Sequence, residues 1–215
     1  MTNKIKTTKK KITSAMAILQ LDELKCRKRV LRRLGFIDET DVVQLKARVA
    51  CEISTGDELV LSELLFNRFF NELTPEQCAA CLSCFIFEEK VDDATALRDE
   101  LAKPFREIQT QARAVAKVSQ ESKLAINEEE YLQTFKHQLM EVVFSWCKGT
   151  SFANICKMTD VYEGSLIRLF RRLEELLRQC AQAAKVMGSD DLEKKFEEAL
   201  LMVRRDIVAA QSLYL

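Results

Sequence analysis

Glycine and proline are scarce in this chain, which has only 5 Gly and 2 Pro among 215 residues. These two residues interrupt secondary structure most strongly, so their scarcity predicts long uninterrupted helices. No apolar run approaches the roughly 20 residues that a membrane-spanning helix needs. The basic start MTNKIKTTKKK is not followed by the apolar segment of a secretory signal. We therefore expect no membrane partner.

A phosphate-binding loop of the form G-x-x-x-x-G-K-[ST] is also missing, because the few glycines are scattered singly. We therefore do not expect this chain alone to hydrolyse ATP, and we assign no catalytic residue. His137 is the only histidine, and it lies among charged neighbours with no nucleophile pattern near it. It is interpreted as a structural or surface residue.

The chain contains eight cysteines, whose thiolates can bind metal ions. Cys78, Cys81 and Cys84 have a spacing that resembles a metal site. A structural zinc site needs four converging ligands, whereas these thiols lie on an apolar helical pattern with no second Cys pair. The pattern favours reduced thiols packed in a core and no metal site.

The formal net charge of zero conceals an uneven distribution. Residues 1–33 contain 11 Lys and Arg against Asp22 and Glu23, a net charge of +9, so the remainder carries −9. A basic arm on an acidic body indicates a nucleic acid or an acidic partner for the arm. The competing interpretation is a solvated helix that only neutralises the body.

The spacing of apolar residues predicts an all-α fold, a helical bundle of about eight helices with one long central amphipathic helix. Residues 1–34 form a basic helical arm that stops at Gly35, and residues 35–215 form the bundle.

Four further helix boundaries are predicted from residue type, as follows. Asp38 or Thr40 caps the second helix, Thr74 and Gln77 form a capping box, Asn127 caps one helix that runs to Gly149, and Asp160 with Glu163 forms a second capping box. Pro104 starts or kinks the fifth helix, from about 94 to 120, and the last helix runs from Asp190 to or near the end.

The long helix, EGSLIRLFRRLEELLRQCAQAA (163–184), carries a polar band opposite its apolar face. At about 100° per residue, Arg168, Arg172, Glu175 and Gln179 line up. One interpretation is a solvated ladder in which Arg172 pairs with Glu175, contributing a few tenths of a kcal/mol. A separate alternative comes from TSFANICKMTDVYEGSLIRLFRRL (150–173), which has the short helix, turn and longer helix of a DNA-binding helix-turn-helix, although the acidic body counts against it. A guanidinium that stacks on bases and a carboxylate that accepts from their amino groups favour single-stranded RNA.

Several long blocks of the sequence resemble one known family. They are LDELKCRKRVLRRLGF (21–36), VACEISTGDEL (49–59), TPEQCAACLSCFIFEEK (74–90), HQLMEVVFSWCKGTSFANICKMTDVYEGSLIRLFRRLEELLRQ (137–179) and RRDIVAAQSLYL (204–215). Together they are similar to the C-terminal region, including the DSHCT domain, of nuclear exosome-associated DExH-box RNA helicases of the superkiller-like family.

The resemblance implies a function and a set of partners. In the family, the helical bundle packs beside two RecA-like motor domains and closes a ring around single-stranded RNA. The full-length relatives unwind RNA and deliver it to the RNA exosome for 3′–5′ processing and decay, often within the TRAMP complex. The resemblance also implies a location in the nucleus, in nucleolus and nucleoplasm.

The resemblance further identifies RNA-binding residues. The helix that starts near Gly164 is similar to the family's ratchet helix, and the positions that face the bases correspond to Arg172 and Glu175. A further RNA-facing carboxylate corresponds to Glu89. Arg168 is added from helical geometry, because it lies one turn before Arg172.

This sequence departs from the family in what it lacks. Both RecA-like domains are missing, and with them the sites for ATP and Mg, so no cofactor is expected in this chain. Most of the family's inserted arch is missing too, and residues 1–34 resemble the stretch that leads out of it. We therefore expect the chain to be a fragment of a larger helicase. The alternative is a stand-alone, non-enzymatic module that binds RNA or protein through the basic arm.

Overall fold

The computed structural model describes residues 2–89 and 97–210, except for the side chains of residues 2, 3 and 16–20. Within these residues the chain is all-α, as predicted, and its only β feature is an isolated antiparallel bridge between Ile37 and Val43. The α-helices are α1 (Thr2–Arg33), α2 (Leu45–Cys51), α3 (Glu58–Phe66), α4 (Pro75–Ser83), α5 (Asp99–Glu121), α6 (Glu128–Leu132), α7 (Met140–Cys147), α8 (Phe152–Ile155), α9 (Glu163–Met187), α10 (Asp190–Val203) and α11 (Asp206–Ala209). A 3₁₀ helix spans Phe69–Asn71. None of the described helices is both long enough and apolar enough to cross a membrane.

The bundle is centred on α9, whose apolar face is buried along its whole length. Helix α10 returns antiparallel to it after a turn at Gly188, whose φ of 75° favours glycine. Helices α4 and α7 complete the core. Phe70 of the 3₁₀ helix packs edge to face against Phe196 of α10, with ring centroids 5.2 Å apart. This packing fixes which side of α9 faces the solvent.

Four predicted helix ends are confirmed. Thr74 and Gln77 form the capping box of α4, and the Asn127 side chain accepts from two N–H groups at the start of α6. Gly35 and Gly149 have φ values of 74° and 96°, in the left-handed region expected after a helix.

Two predicted caps are wrong. The Asp38 carboxylate accepts from the N–H groups of Thr40 and Val42 and closes a turn, so α2 begins only after Gln44. Asp160 does not cap α9, because the N-cap is Tyr162 and no side chain bonds to the first turn.

Two predicted helices are each divided, and the described residues contain eleven α-helices where about eight were expected. The segment after Asn127 forms α6 and α7 because the Lys136 N–H bonds to the carbonyl of Cys84 instead of continuing a helix. The last helix breaks between α10 and α11, where Arg205 stacks on the Trp146 ring at 3.6 Å. Residues 211–215 lie outside the described part.

Pro104 neither starts α5 nor leaves a polar group unsatisfied. It lies inside the helix and has no N–H to offer the carbonyl of Glu100. The side-chain amide of Gln77 donates to that carbonyl at 3.2 Å. Gln77, a residue of the α4 capping box, thus supplies the hydrogen bond that Pro104 cannot donate.

Candidate nucleic-acid interface

The apolar face of α9 determines where its polar band lies. The apolar face of α9 is buried in the core along six residues: Leu169, Leu173, Leu176, Leu177, Cys180 and Ala184. Since a helix turns about 100° per residue, burial of this face leaves Arg168, Arg172 and Glu175 on the outer side. The side chains of Arg168 and Arg172 are 74% and 44% exposed, and that of Glu175 is 46% exposed.

The two arginines of the band face the segment that follows α4. Arg172 Nη1 donates to Glu88 Oε1 at 2.8 Å. Arg168 Nη2 lies 4.0 Å from Glu89 Oε1, within the range of an ion pair. The structure therefore brings together the predicted residues Arg168 and Glu89. It adds Glu88, which sequence reasoning missed although it is adjacent to Glu89.

The pair between Arg172 and Glu175 that the ladder interpretation requires is not formed. Arg172 turns to Glu88, while the Glu175 carboxylate accepts from Arg178 Nη1. The ladder interpretation is thus wrong about the pairing. The contacts of Arg172 run across the surface to another segment rather than along its own helix.

The acidic segment is held in place through its backbone. Lys136 Nζ donates to the carbonyl oxygens of Glu88 at 2.5 Å and Glu89 at 2.8 Å. The preceding residue, Phe87, is buried, and Lys136 Nζ lies 5.6 Å from the centre of its ring. The fixed main chain places both carboxylates beside α9, where Glu88 contacts Arg172 and Glu89 contacts Arg168.

Glu175 is held at the junction of α9 with the loop before α3. Gln179 Nε2 donates to Glu175 Oε1 at 3.1 Å. The other end of the same amide, Gln179 Oε1, accepts from the N–H groups of Ser54 at 2.9 Å and Thr55 at 3.0 Å. No local pattern in the sequence points to this contact, because 125 residues separate Ser54 from Gln179.

The cysteines and the histidine weighed in the sequence analysis lie away from the polar band's contacts. No group of three or more His, Cys, Asp and Glu in this part of the chain is placed to hold a metal ion. Cys78, Cys81 and Cys84 are buried, and burial raises the pKa of Cys78 to about 12. His137 lies 5.0 Å from the Phe105 ring, and partial burial lowers its pKa.

The surface thus offers planar guanidinium groups, carboxylates and an amide on a rigid helix. Guanidinium groups stack on bases and bind phosphates, while carboxylates accept hydrogen bonds from base amino groups. A uniformly positive surface would hold duplex phosphates, whereas this mixed surface is suited to exposed bases.

Comparison with known proteins reveals extended similarity. Residues 40–211 match the model of the DSHCT (NUC185) domain. The chain is 59% identical over 212 residues to the ATP-dependent RNA helicase mtr4 of Schizosaccharomyces pombe. It is 56% identical over 211 residues to the exosome RNA helicase MTR4 of Homo sapiens. These alignments cover 98% of this chain but only 19% and 20% of the two relatives, so the chain spans about a fifth of their length.

Proposed function

The chain belongs to the DSHCT family and is homologous to the DSHCT region of Mtr4-like ATP-dependent RNA helicases, and on this basis we propose that it is the RNA-contacting helical domain of such a helicase. Its role is to guide single-stranded RNA during unwinding and delivery for 3′–5′ processing and decay. ATP and Mg act in the motor domains of the helicase, so this chain has no catalytic residue of its own. The proposal extends to the RNA exosome and a TRAMP-type complex as partners and to the nucleus as the location.

The observation that carries this proposal is the polar band of α9. Arg168, Arg172 and Glu175 project from a helix whose opposite face is locked into the core. Glu89 faces the band from a segment that Lys136 fixes in place. A preorganised row of stacking and hydrogen-bonding groups binds RNA without the entropic cost of ordering each side chain from a mobile state. The four proposed RNA-binding residues are Glu89, Arg168, Arg172 and Glu175.

A paired substitution in α9 tests this proposal. We expect Arg172→Ala combined with Glu175→Ala to weaken binding of a fluorescent oligo(A) RNA by roughly 5- to 100-fold, the effect of losing one stacked base. Binding is measured by fluorescence anisotropy with the 215-residue chain. In a helicase that carries this chain, the same substitutions should slow the unwinding of a duplex with a single-stranded tail.

The control is the double variant Arg113→Ala with Glu128→Ala. These residues form a 3.0 Å ion pair between α5 and α6, so the control removes the same two charges away from the band. Wild-type affinity is expected for the control. If the α9 double variant also bound and unwound like wild type, the band would not be the RNA site.

A second candidate function uses the basic arm, and one observation favours it. Three cations in the second half of α1 form ion pairs with the body: Arg33 pairs with Glu121, and both Lys28 and Arg32 pair with Asp41. The cations in the first half are exposed and form no ion pair with any described side chain: Lys4, Lys6, Lys9, Lys10 and Lys11. This half of α1 could bind either an RNA, through its phosphates, or an acidic protein.

A further inference from the structure

Tyr162, at the start of α9, is a large aromatic residue that the core does not use. Its side chain is 75% exposed. Its hydroxyl group has no hydrogen-bond partner within residues 2–89 and 97–210. Single exposed apolar side chains are common on soluble proteins, so the surroundings of this ring decide what it means.

The backbone on both sides of the ring is fixed. Tyr162 is the N-cap of α9, and its carbonyl accepts from the N–H groups of Ser165 at 2.9 Å and Leu166 at 3.1 Å. The preceding residue, Val161, is buried in the core. The ring therefore projects from an anchored position, and binding against it requires little ordering of the main chain.

Gly164 provides the space that the ring occupies. A Cβ atom at this position would lie 2.8 Å from Tyr162 Cε1 and 3.2 Å from Cδ1. Any larger residue would therefore push the ring away from the first turn of α9. Because Gly164 has only a hydrogen atom in place of a Cβ, the Tyr162 ring rests against the first turn of α9. The remaining surface of the ring faces the solvent.

The ring also lies on the same helix as the polar band. At a rise of about 1.5 Å per residue, Arg168 follows Tyr162 by roughly 9 Å and Arg172 follows it by roughly 15 Å along the axis. The longer distance equals about four bases at the roughly 3.4 Å spacing of bases within one strand. At about 100° per residue, position 162 lies roughly 120° around the axis from Arg168 and roughly 80° from Arg172. A short RNA segment that contacts both the ring and Arg172 would therefore cross the first turns of α9 obliquely.

We infer that Tyr162 is a stacking platform for a nucleobase of single-stranded RNA, at the α9 N-terminal end of the Arg168–Arg172 band. This inference rests on the proposed function and adds a contact of a different chemical kind. An uncharged ring attracts the π-face of a base and offers no charge to a phosphate. The contact therefore accepts any base sequence and depends little on salt.

Two substitutions at position 162 test the inference in the 215-residue chain. Tyr162→Ala should weaken binding of a short oligo(A) RNA by roughly 5- to 100-fold, whereas Tyr162→Phe should stay within about twofold of wild type. An RNA of the same length with abasic positions should bind equally to wild type and Tyr162→Ala. Leu201→Ala removes another exposed apolar side chain, 69% exposed on α10, and serves as the control.

Measuring Arg172→Ala in the same binding assay distinguishes failure of the stacking site from failure of the proposed function. Weak binding by Arg172→Ala with normal binding by Tyr162→Ala would overturn the stacking site alone. The reverse result would support the stacking site and contradict the role of Arg172. Equal losses in Tyr162→Phe and Tyr162→Ala would show that the hydroxyl group, and not stacking, makes the contact. A wild-type chain that binds no oligo(A) would overturn both.

Discussion

Arg172 has a partner in the protein that competes with any RNA for its guanidinium group. Glu88 accepts from Arg172 Nη1 at 2.8 Å, and the Glu88 side chain is otherwise well exposed. An exposed ion pair contributes only about 0.2–1 kcal/mol, so RNA can displace Glu88 at small cost. The carboxylate orients the guanidinium group, and under the proposed function it would leave when a base stacks on Arg172.

Glu88→Gln is accordingly expected to strengthen binding of oligo(A) RNA. Loss of the competing charge should increase affinity by up to about fivefold, the equivalent of 1 kcal/mol. The measurement is an anisotropy titration of wild type and variant under identical salt conditions. Glu198→Gln, an exposed change of the same kind on α10, should leave the affinity unaltered. Weaker binding by Glu88→Gln would instead mean that Glu88 itself contacts the RNA.

At the level of elements, the pairing of α9 with α10 supports the band, because it holds the apolar face of α9 in the core. Phe196 of α10 is fully buried against Phe70. Replacing a buried Phe by Ala costs about 3–5 kcal/mol, so Phe196→Ala should lower the urea midpoint of unfolding strongly. Leu201→Ala, on the exposed side of the same helix, should change stability by less than about 0.5 kcal/mol. Similar midpoints for the two variants would contradict this view of the core.

The elements that sequence reasoning predicted correctly are those determined by nearby residues. The capping box at Thr74 and the stop at Gly149 depend on neighbours within a few positions. The apolar face of α9 likewise follows from its own periodicity. In contrast, the division into α6 and α7 depends on a bond from Lys136 to Cys84, which a linear pattern does not contain.

The same distinction applies to the candidate site. Helical spacing alone aligned Arg168, Arg172 and Glu175, whereas Glu89 came from family resemblance. The partners of these residues come from distant parts of the chain: Glu88 is 84 residues from Arg172, and Ser54 is 125 residues from Gln179. Sequence analysis therefore predicted the outward-facing row of α9 and missed the contacts that hold it, and RNA binding by this row stays a proposal. The division at residue 34 stays a prediction.

For the whole molecule, the separation of charge distinguishes the two candidate functions. A basic arm that holds RNA through phosphates would release a counterion for each lysine used. Five engaged lysines give a slope of about −3.5 for log K against log salt on a single strand, whereas two arginines give only about −1.4. The proposed binding by the band includes stacking, so its affinity should persist at higher salt.

We expect the shallower slope for the wild-type chain, measured with oligo(A) RNA over a series of salt concentrations. Replacing the five exposed lysines by glutamine (Lys4, Lys6, Lys9, Lys10 and Lys11) should leave this slope nearly unchanged. These substitutions spare the second half of α1, where Val30 is buried and Arg29 Nη1 donates to the carbonyl of Ser122 at 3.1 Å. The fold is therefore retained, and a lost affinity would report on binding. A steep slope that flattens in the lysine variant would assign RNA binding to the arm, and α9 would then have a purely structural role.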